Sequence, residues 1–194
     1  MKYRIFTLLL GFLLSVSISA QTKNEKEKRI KKSEFPKGAN LLLNAIPQQA
    51  KRIRFYKETD GDKTSFETKF KFKKHWYSVE CDSLGKLEDI EIQIKEDELP
   101  EETDDVIEDY FEDNSEKYDI IKIQEQFIYS SKPSDTEFLK HISSNRESLR
   151  PNYEIIVALK IDKVWVLKEI TFSHQGQFLS ERTIKPDSYE YIMY

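Results

Sequence analysis

A chain of 194 residues and 23.1 kDa has room for one domain or two small ones. One Cys excludes an intramolecular disulfide framework and any Cys-rich zinc module, and three His leave little material for a histidine metal site. A formal charge of −4 argues against a nucleic-acid binder as a whole, while 12 Phe, 10 Tyr and 2 Trp supply large units of burial despite a hydrophobic fraction of 38%.

The first twenty residues read as an export signal. Lys2 and Arg4 precede an apolar run, Ile5 to Val16, and small Ala20 stands at the expected cleavage position. The run is about half of the roughly 20 apolar residues that a membrane-spanning helix needs. With no Cys nearby, the reading is a cleaved signal over 1–20 and not a lipoprotein, so the mature chain is expected in a periplasm or outside the cell. Its charge is uneven. Residues 21–74 hold 16 basic and 7 acidic residues, and residues 75–118 hold 3 and 17.

Residues 21–34 are polar and Lys-rich without apolar periodicity, which predicts a flexible basic arm. Ala39 to Ile46 predicts a short helix ended by Pro47. Ile53 to Lys57 predicts a strand, followed by the turn signal Thr59-Asp60-Gly61-Asp62. Phe66, Thr68, Phe70 and Phe72 alternate with Glu67, Lys69, Lys71 and Lys73, the period of a half-buried strand with Phe inward and Lys outward. Trp76 to Cys81 and Ile90 to Ile94 are further strands of a meander. Leu99-Pro100 opens a helix whose first turn is crowded with carboxylates, favourable at the positive end of its dipole, and Val106, Ile107, Tyr110 and Phe111 form its apolar stripe. Tyr118 to Tyr129 is strand-rich. Residues 130–152 predict an inserted polar loop with a helical turn near Thr136 to Ser144. Tyr153 to Ile161, Val164 to Phe172 and Phe178 to Ile184 are the last strands, and 186–194 form an aromatic tail.

The two halves repeat one order of elements: an apolar residue before Pro, a helix, a strand, a strand opening on aromatic-Glu (Phe66-Glu67, Tyr153-Glu154), a Trp strand (Trp76, Trp165), then a Gly-bearing turn and a last strand. Leu99-Pro100, Tyr153-Glu154-Ile155 with Trp165, and the turns at Gly85 and Gly176 resemble the PepSY-like family, tandem domains with the fold of beta-lactamase-inhibitor proteins. The resemblance covers roughly residues 35–185. The first helix is shorter than the pattern, Cys81 stands where the second repeat has Phe172, and 130–152 exceeds a minimal repeat. The resemblance implies an α+β fold of two tandem repeats, each a short helix packed on an antiparallel β-meander, at 35–98 and 99–194. It also implies an exported bacterial protein with binding or inhibitory roles and no catalytic residues.

No residue pattern points to catalysis. Cys81 alternates with Tyr77 and Val79, which predicts a buried small hydrophobe rather than a nucleophile. His75, His141 and His174 lack a second ligand at three or four residues. Twelve carboxylates between Glu96 and Glu116 spread around a helix without a calcium loop. The Lys–Phe alternation at Lys69 to Lys74 is explained by strand period before nucleic acid needs invoking. The sequence thus predicts no cofactor, no metal and no enzyme. It predicts an envelope binding module for another protein or a peptide, with Lys69, Lys71, Lys73, Trp76 and Trp165 as candidate contacts, although large aromatics usually belong to a core. A structural or folding-related envelope protein is the alternative, and a secreted hydrolase a third.

Overall fold

The period-two stretches pair into one sheet in the computed structural model, which describes residues 21–185. The signal layout at 1–20 and the tail at 186–194 lie outside the described residues. The strands are β1 (Gln21–Lys23), β2 (Glu25–Ile30), β3 (Lys51–Asp60), β4 (Lys63–Phe72), β5 (His75–Asp82), β6 (Leu87–Ile94), β7 (Lys117–Ile128), β8 (Asn152–Ile161), β9 (Val164–Phe172) and β10 (Phe178–Ile184). Strands β3 to β10 follow one another as antiparallel neighbours. The helices are α1 (Asn40–Asn44), α2 (Glu101–Asn114) and α3 (Asp135–Asn145).

Closure comes from the N-terminal segment. Strand β1 pairs parallel with β10, placing Lys23 opposite Ile184, and β2 pairs antiparallel with β3, placing Glu25 opposite Asp60. Only Asn24 separates the two, and its backbone N–H donates to the Asp60 carboxylate at 2.9 Å. The two edge strands are therefore successive pieces of one segment, and the sheet curls into a nearly closed barrel. An exposed sheet edge presents unpaired backbone groups, and closure removes that cost.

The apolar core lies outside this ring, between the sheet and its helices. Phe70, Phe111 and Phe172 have no exposed surface. Phe70 stacks on Tyr77 at 5.2 Å, and Phe111 meets Phe172 edge-on at 5.7 Å. Each such ring contributes on the order of 1.5–3 kcal/mol by burial before ordering costs. On α2, Ile107 and Phe111 bury one face, Tyr110 is half-buried, and Val106 is 41% exposed, so the stripe is narrower than expected. Helix α3 starts at a capping box: the Glu137 N–H donates to the Ser134 hydroxyl at 3.4 Å, and the Ser134 N–H donates to the Glu137 carboxylate at 3.2 Å.

Three expectations are corrected. The two tandem helix-on-meander repeats are instead a single barrel: β6 pairs with β7 across the expected boundary at 98/99, from Asp89–Ile128 to Ile94–Ile123, and one sheet serves both halves. The flexible basic arm at 21–34 is β1, β2 and a 3-10 turn at Lys32–Glu34, ordered because it fills the gap between two edges. The inserted loop at 130–152 carries the three-turn helix α3, whose Leu139 and Ile142 are fully buried. Among the described residues no helix is long and apolar enough to cross a membrane.

Candidate functional site

On β4, Ser65, Glu67 and Lys69 alternate with Phe66, Thr68 and Phe70. On an open sheet the polar set would face solvent. Here ring closure turns it inward, onto a cavity of about 250 Å³ lined from nine of the ten strands. The lining holds eight carboxylates against five basic groups. Burying charge is costly unless each group is paired and hydrogen-bonded, so the pairing defines the site.

At the seam, the Lys23 ammonium ion-pairs with Glu169 and, at 2.8 Å, with Glu25. The Arg182 guanidinium donates to Glu169 at 2.7 Å and to Asp60 at 3.1 Å. Burial alone would raise the Glu169 carboxyl, but Lys23 and Arg182 overcome it and hold it at about 2. Burial would likewise lower Lys23, yet Glu169 and Glu25 carry it well above its ordinary value. On the neighbouring wall, Lys69 pairs with Glu27 and with Glu67 at 3.0 Å, while its ammonium lies over the Tyr56 ring at 5.1 Å. Lys63 bridges Glu80 at 3.3 Å and Glu88 at 3.0 Å.

The remaining lumen carboxyls behave differently. Burial, then the charge of the neighbouring Glu67, pushes Glu58 well above the usual carboxylate range. Burial also raises Asp89 and Glu154 well above that range, with neighbouring carboxylates adding to it. Glu91 is pushed up to about 7 by burial, against the opposing charges of Lys122 and Lys23. Their neighbours include side-chain amides: Gln124 donates to Glu91, and Gln126 donates to Asp89 Oδ2 at 3.2 Å. The other oxygen of Asp89 is buried with no hydrogen-bond partner. The oxygens of Glu25, Glu27 and Glu58 lie within 4.8 Å of one another, a spacing that can hold a metal ion.

A second cavity of about 400 Å³ shares Glu67, Lys69, Lys122 and Gln124 with the lumen and adds Arg54 and Trp76. It forms a mouth where the Arg54 guanidinium lies over the indole at 5.7 Å. Of the sequence-derived candidates, Lys69 and Trp76 meet here. Lys69 is a correction: expected outward, its side chain is only 16% exposed, because the outward face of its strand is the inside of a ring. Lys71 pairs with Trp76 in register but is exposed. Lys73 sits in the β4–β5 turn, where its ammonium donates to the Ser143 carbonyl at 3.0 Å. Trp165 lies opposite Lys160 on β8, away from the mouth, and is 53% exposed rather than part of a core. Sequence reasoning missed Glu58, Glu91, Glu154, Glu169 and Arg182. Their signal was polar alternation on strands of both halves, which an open sheet produces equally.

Outside the barrel, Arg146 clamps the turn after α3 onto the sheet, reaching Glu125 at 3.2 Å and Glu98 at 3.6 Å, and Glu98 meets the His75 ring at 2.6 Å. Burial pushes Glu125 up to about 7 against Arg146. Cys81 is fully buried on the helix side of β5.

No family model matches the sequence, and neither does any curated protein. Among solved structures, the chain is similar in fold to a DUF2874 family protein from Bacteroides ovatus ATCC 8483, with a TM-score of 0.50 and 11% identity over 77% of this chain and 89% of that one. The likeness concerns the fold, a barrel-like sheet with few helices.

Proposed function

We propose that this chain is an exported, non-catalytic binding protein of the cell envelope, and that it binds a small polar ligand through the barrel lumen and the mouth at Trp76. The observation that carries the reading is the charged cavity inside the sheet. A fold selected for stability alone gains little from buried ion pairs, since apolar packing of similar volume is often as stable or more so. A lumen lined with such groups from nine strands is the arrangement expected of a preorganised polar site. The signal layout at 1–20 supports export.

The test is a thermal-shift screen of the chain from Gln21 with small cations, anions and neutral polar compounds. A saturable rise in Tm that Trp76→Ala weakens is the expected result. No shift with any class, together with capture of an envelope protein that Trp76→Ala leaves unchanged, would overturn the lumen as the site.

A further inference from the structure

We infer that the ligand of the lumen is a linear organic polyamine, its ammonium groups held between lumen carboxylates and its chain entering past Trp76. The inference rests on the lumen reading above and adds the ligand class.

The chain's own lysines set the precedent. Two enclosed alkylammonium groups are each held between two carboxylates, Lys23 by Glu25 and Glu169 and Lys69 by Glu27 and Glu67, and Lys63, 57% exposed, pairs with Glu80 and Glu88 at the rim. Lys69 also lies over an aromatic ring. The wall is thus built twice over to enclose the terminus of an alkyl amine. Facing the same space, Asp89, Glu91 and Glu154 line the cavity, and Asp89 keeps a buried oxygen with no hydrogen-bond donor. Burial and neighbouring carboxylates keep the Asp89 acid protonated, and once an ammonium takes that proton's place the unpaired oxygen becomes an acceptor with the ammonium as its donor. Asp89 and Glu91 receive side-chain amides, neutral donors where an ammonium would give charge-assisted bonds about twice as strong.

Charge and shape agree. The lining has three more acidic side chains than basic ones, but Asp89 and Glu154 hold their protons, so a multiply charged cation would gain its counter-charge by displacing those protons. Its carboxylates are spread over β2 to β6 and β8, a distribution suited to an extended ligand with several charges. At the mouth, the Arg54 guanidinium lies over the Trp76 face at 5.7 Å, and an incoming ammonium would reach that face by displacing it.

Binding would be linked to protons. Glu91 ionises at about 7, facing Lys122, Lys23, Glu80, Glu67, Asp89 and Glu154 as well as the Gln124 amide, and an ammonium beside it favours its charged form. Affinity therefore rises with pH from 6 to 8, while the amines stay charged.

The experiment uses the chain from Gln21 carrying Trp165→Phe, which leaves Trp76 as the only Trp. Spermidine is titrated at low salt while Trp76 fluorescence and binding heat are followed at pH 6 and pH 8. The expected result is saturable one-to-one binding that perturbs Trp76 and tightens at pH 8. Glu91→Gln should weaken it about tenfold, the worth of one charge-assisted bond. Melting curves check that this variant folds, and Trp76→Ala, read by heat, provides a second variant at the mouth. Binding of citrate but not spermidine would overturn the amine class and leave the lumen reading standing. Calcium binding without spermidine binding would do the same. Spermidine affinity unchanged in both variants would overturn the proposed site for the amine, and silence toward every probe would remove both readings.

Discussion

Arg182 and Asp60 stand 122 residues apart in sequence, and the guanidinium reaches the carboxylate at 3.1 Å. Arg182 is on β10 and Asp60 on β3, the strands that flank the β1–β2 segment on either side. Their contact spans the seam. It ties one end of the sheet to the other over the short strand that joins them, and it places Glu169, held by the same guanidinium, at the centre of the closure.

Removing Glu169 should loosen that closure. Glu169→Ala leaves Lys23 buried with Glu25 alone and leaves Arg182 with Asp60 alone. Breaking a buried charge network on one side costs about 3–5 kcal/mol. Asp60→Asn, on a partly exposed pair, should cost about 1 kcal/mol or less. Urea unfolding of the two variants measures the difference, and equal midpoints would deny Glu169 its central place.

Stability should peak in mildly acidic solution. The Glu169 carboxyl sits at about 2 in the folded chain and near the ordinary value of roughly 4.3 when unfolded. Its contribution is present above that ordinary value and is lost as pH falls through the folded one. Glu91 and Glu125, both at about 7 when folded, act in the opposite sense, as do Glu58, Asp89 and Glu154, which burial raises further. The unfolded chain releases those protons first, so stability falls as pH rises from roughly 4.3 to 7. Around Glu91 the titrating neighbours are Lys122, Lys23, Glu80, Glu67, Asp89 and Glu154, and around Glu125 they are Arg146 and Glu98. Melting curves from pH 3 to pH 8 should show a maximum near about pH 5, and Glu91→Gln should flatten the alkaline side.

The turn at Gly85 should tolerate no side chain. Gly85 has φ +83°, and a Cβ there would lie 2.4 Å from the Ala39 backbone nitrogen. Gly61 has φ +58°, but nothing approaches its Cβ position within 4 Å. Gly61→Ala should cost only the backbone strain, about 1 kcal/mol, whereas Gly85→Ala must also push α1 from the β5–β6 turn. A lower Tm for Gly85→Ala than for Gly61→Ala checks this.

The single thiol should be silent until the protein unfolds. Burial pushes Cys81 well above the ordinary thiol range, and the charges of Asp135 and Asp82 push it further. Ellman's reagent at pH 8 should leave native protein unlabelled and titrate one thiol in denaturant. Rapid labelling of the native state would mean that the core around β5 opens.

Strong alternation between polar turns was legible in the sequence. Strands β9 and β10 have the bounds expected of them, because each begins soon after a turn, at Asp162-Lys163 or at Gly176, and begins and ends on apolar residues, Val164 and Phe172 or Phe178 and Ile184. Strand β2, Glu25-Lys26-Glu27-Lys28-Arg29-Ile30, has no apolar alternation, so residue types alone argue for a solvated arm. It is a strand because β3 offers it a row of backbone partners from Phe55 to Asp60. Of the candidate site, Lys69 and Trp76 were picked out for their place on strands, but the carboxylates around them were not. A polar residue on a strand carries no mark of whether its face looks into water or into a barrel.

What the sequence by itself determined is which residues share a face. The period of two separates Glu67 and Lys69 from Phe66 and Phe70 whatever the strand pairs with, because successive side chains must point to opposite sides. Only the tertiary structure decided which face is inside. That depends on β1 meeting β10 and β2 meeting β3, pairings between one end of the chain and two distant edges that no local pattern encodes. Once the ring closes, the same polar alternation that reads as a wetted surface becomes a charged cavity, and the apolar set becomes the core beneath the helices.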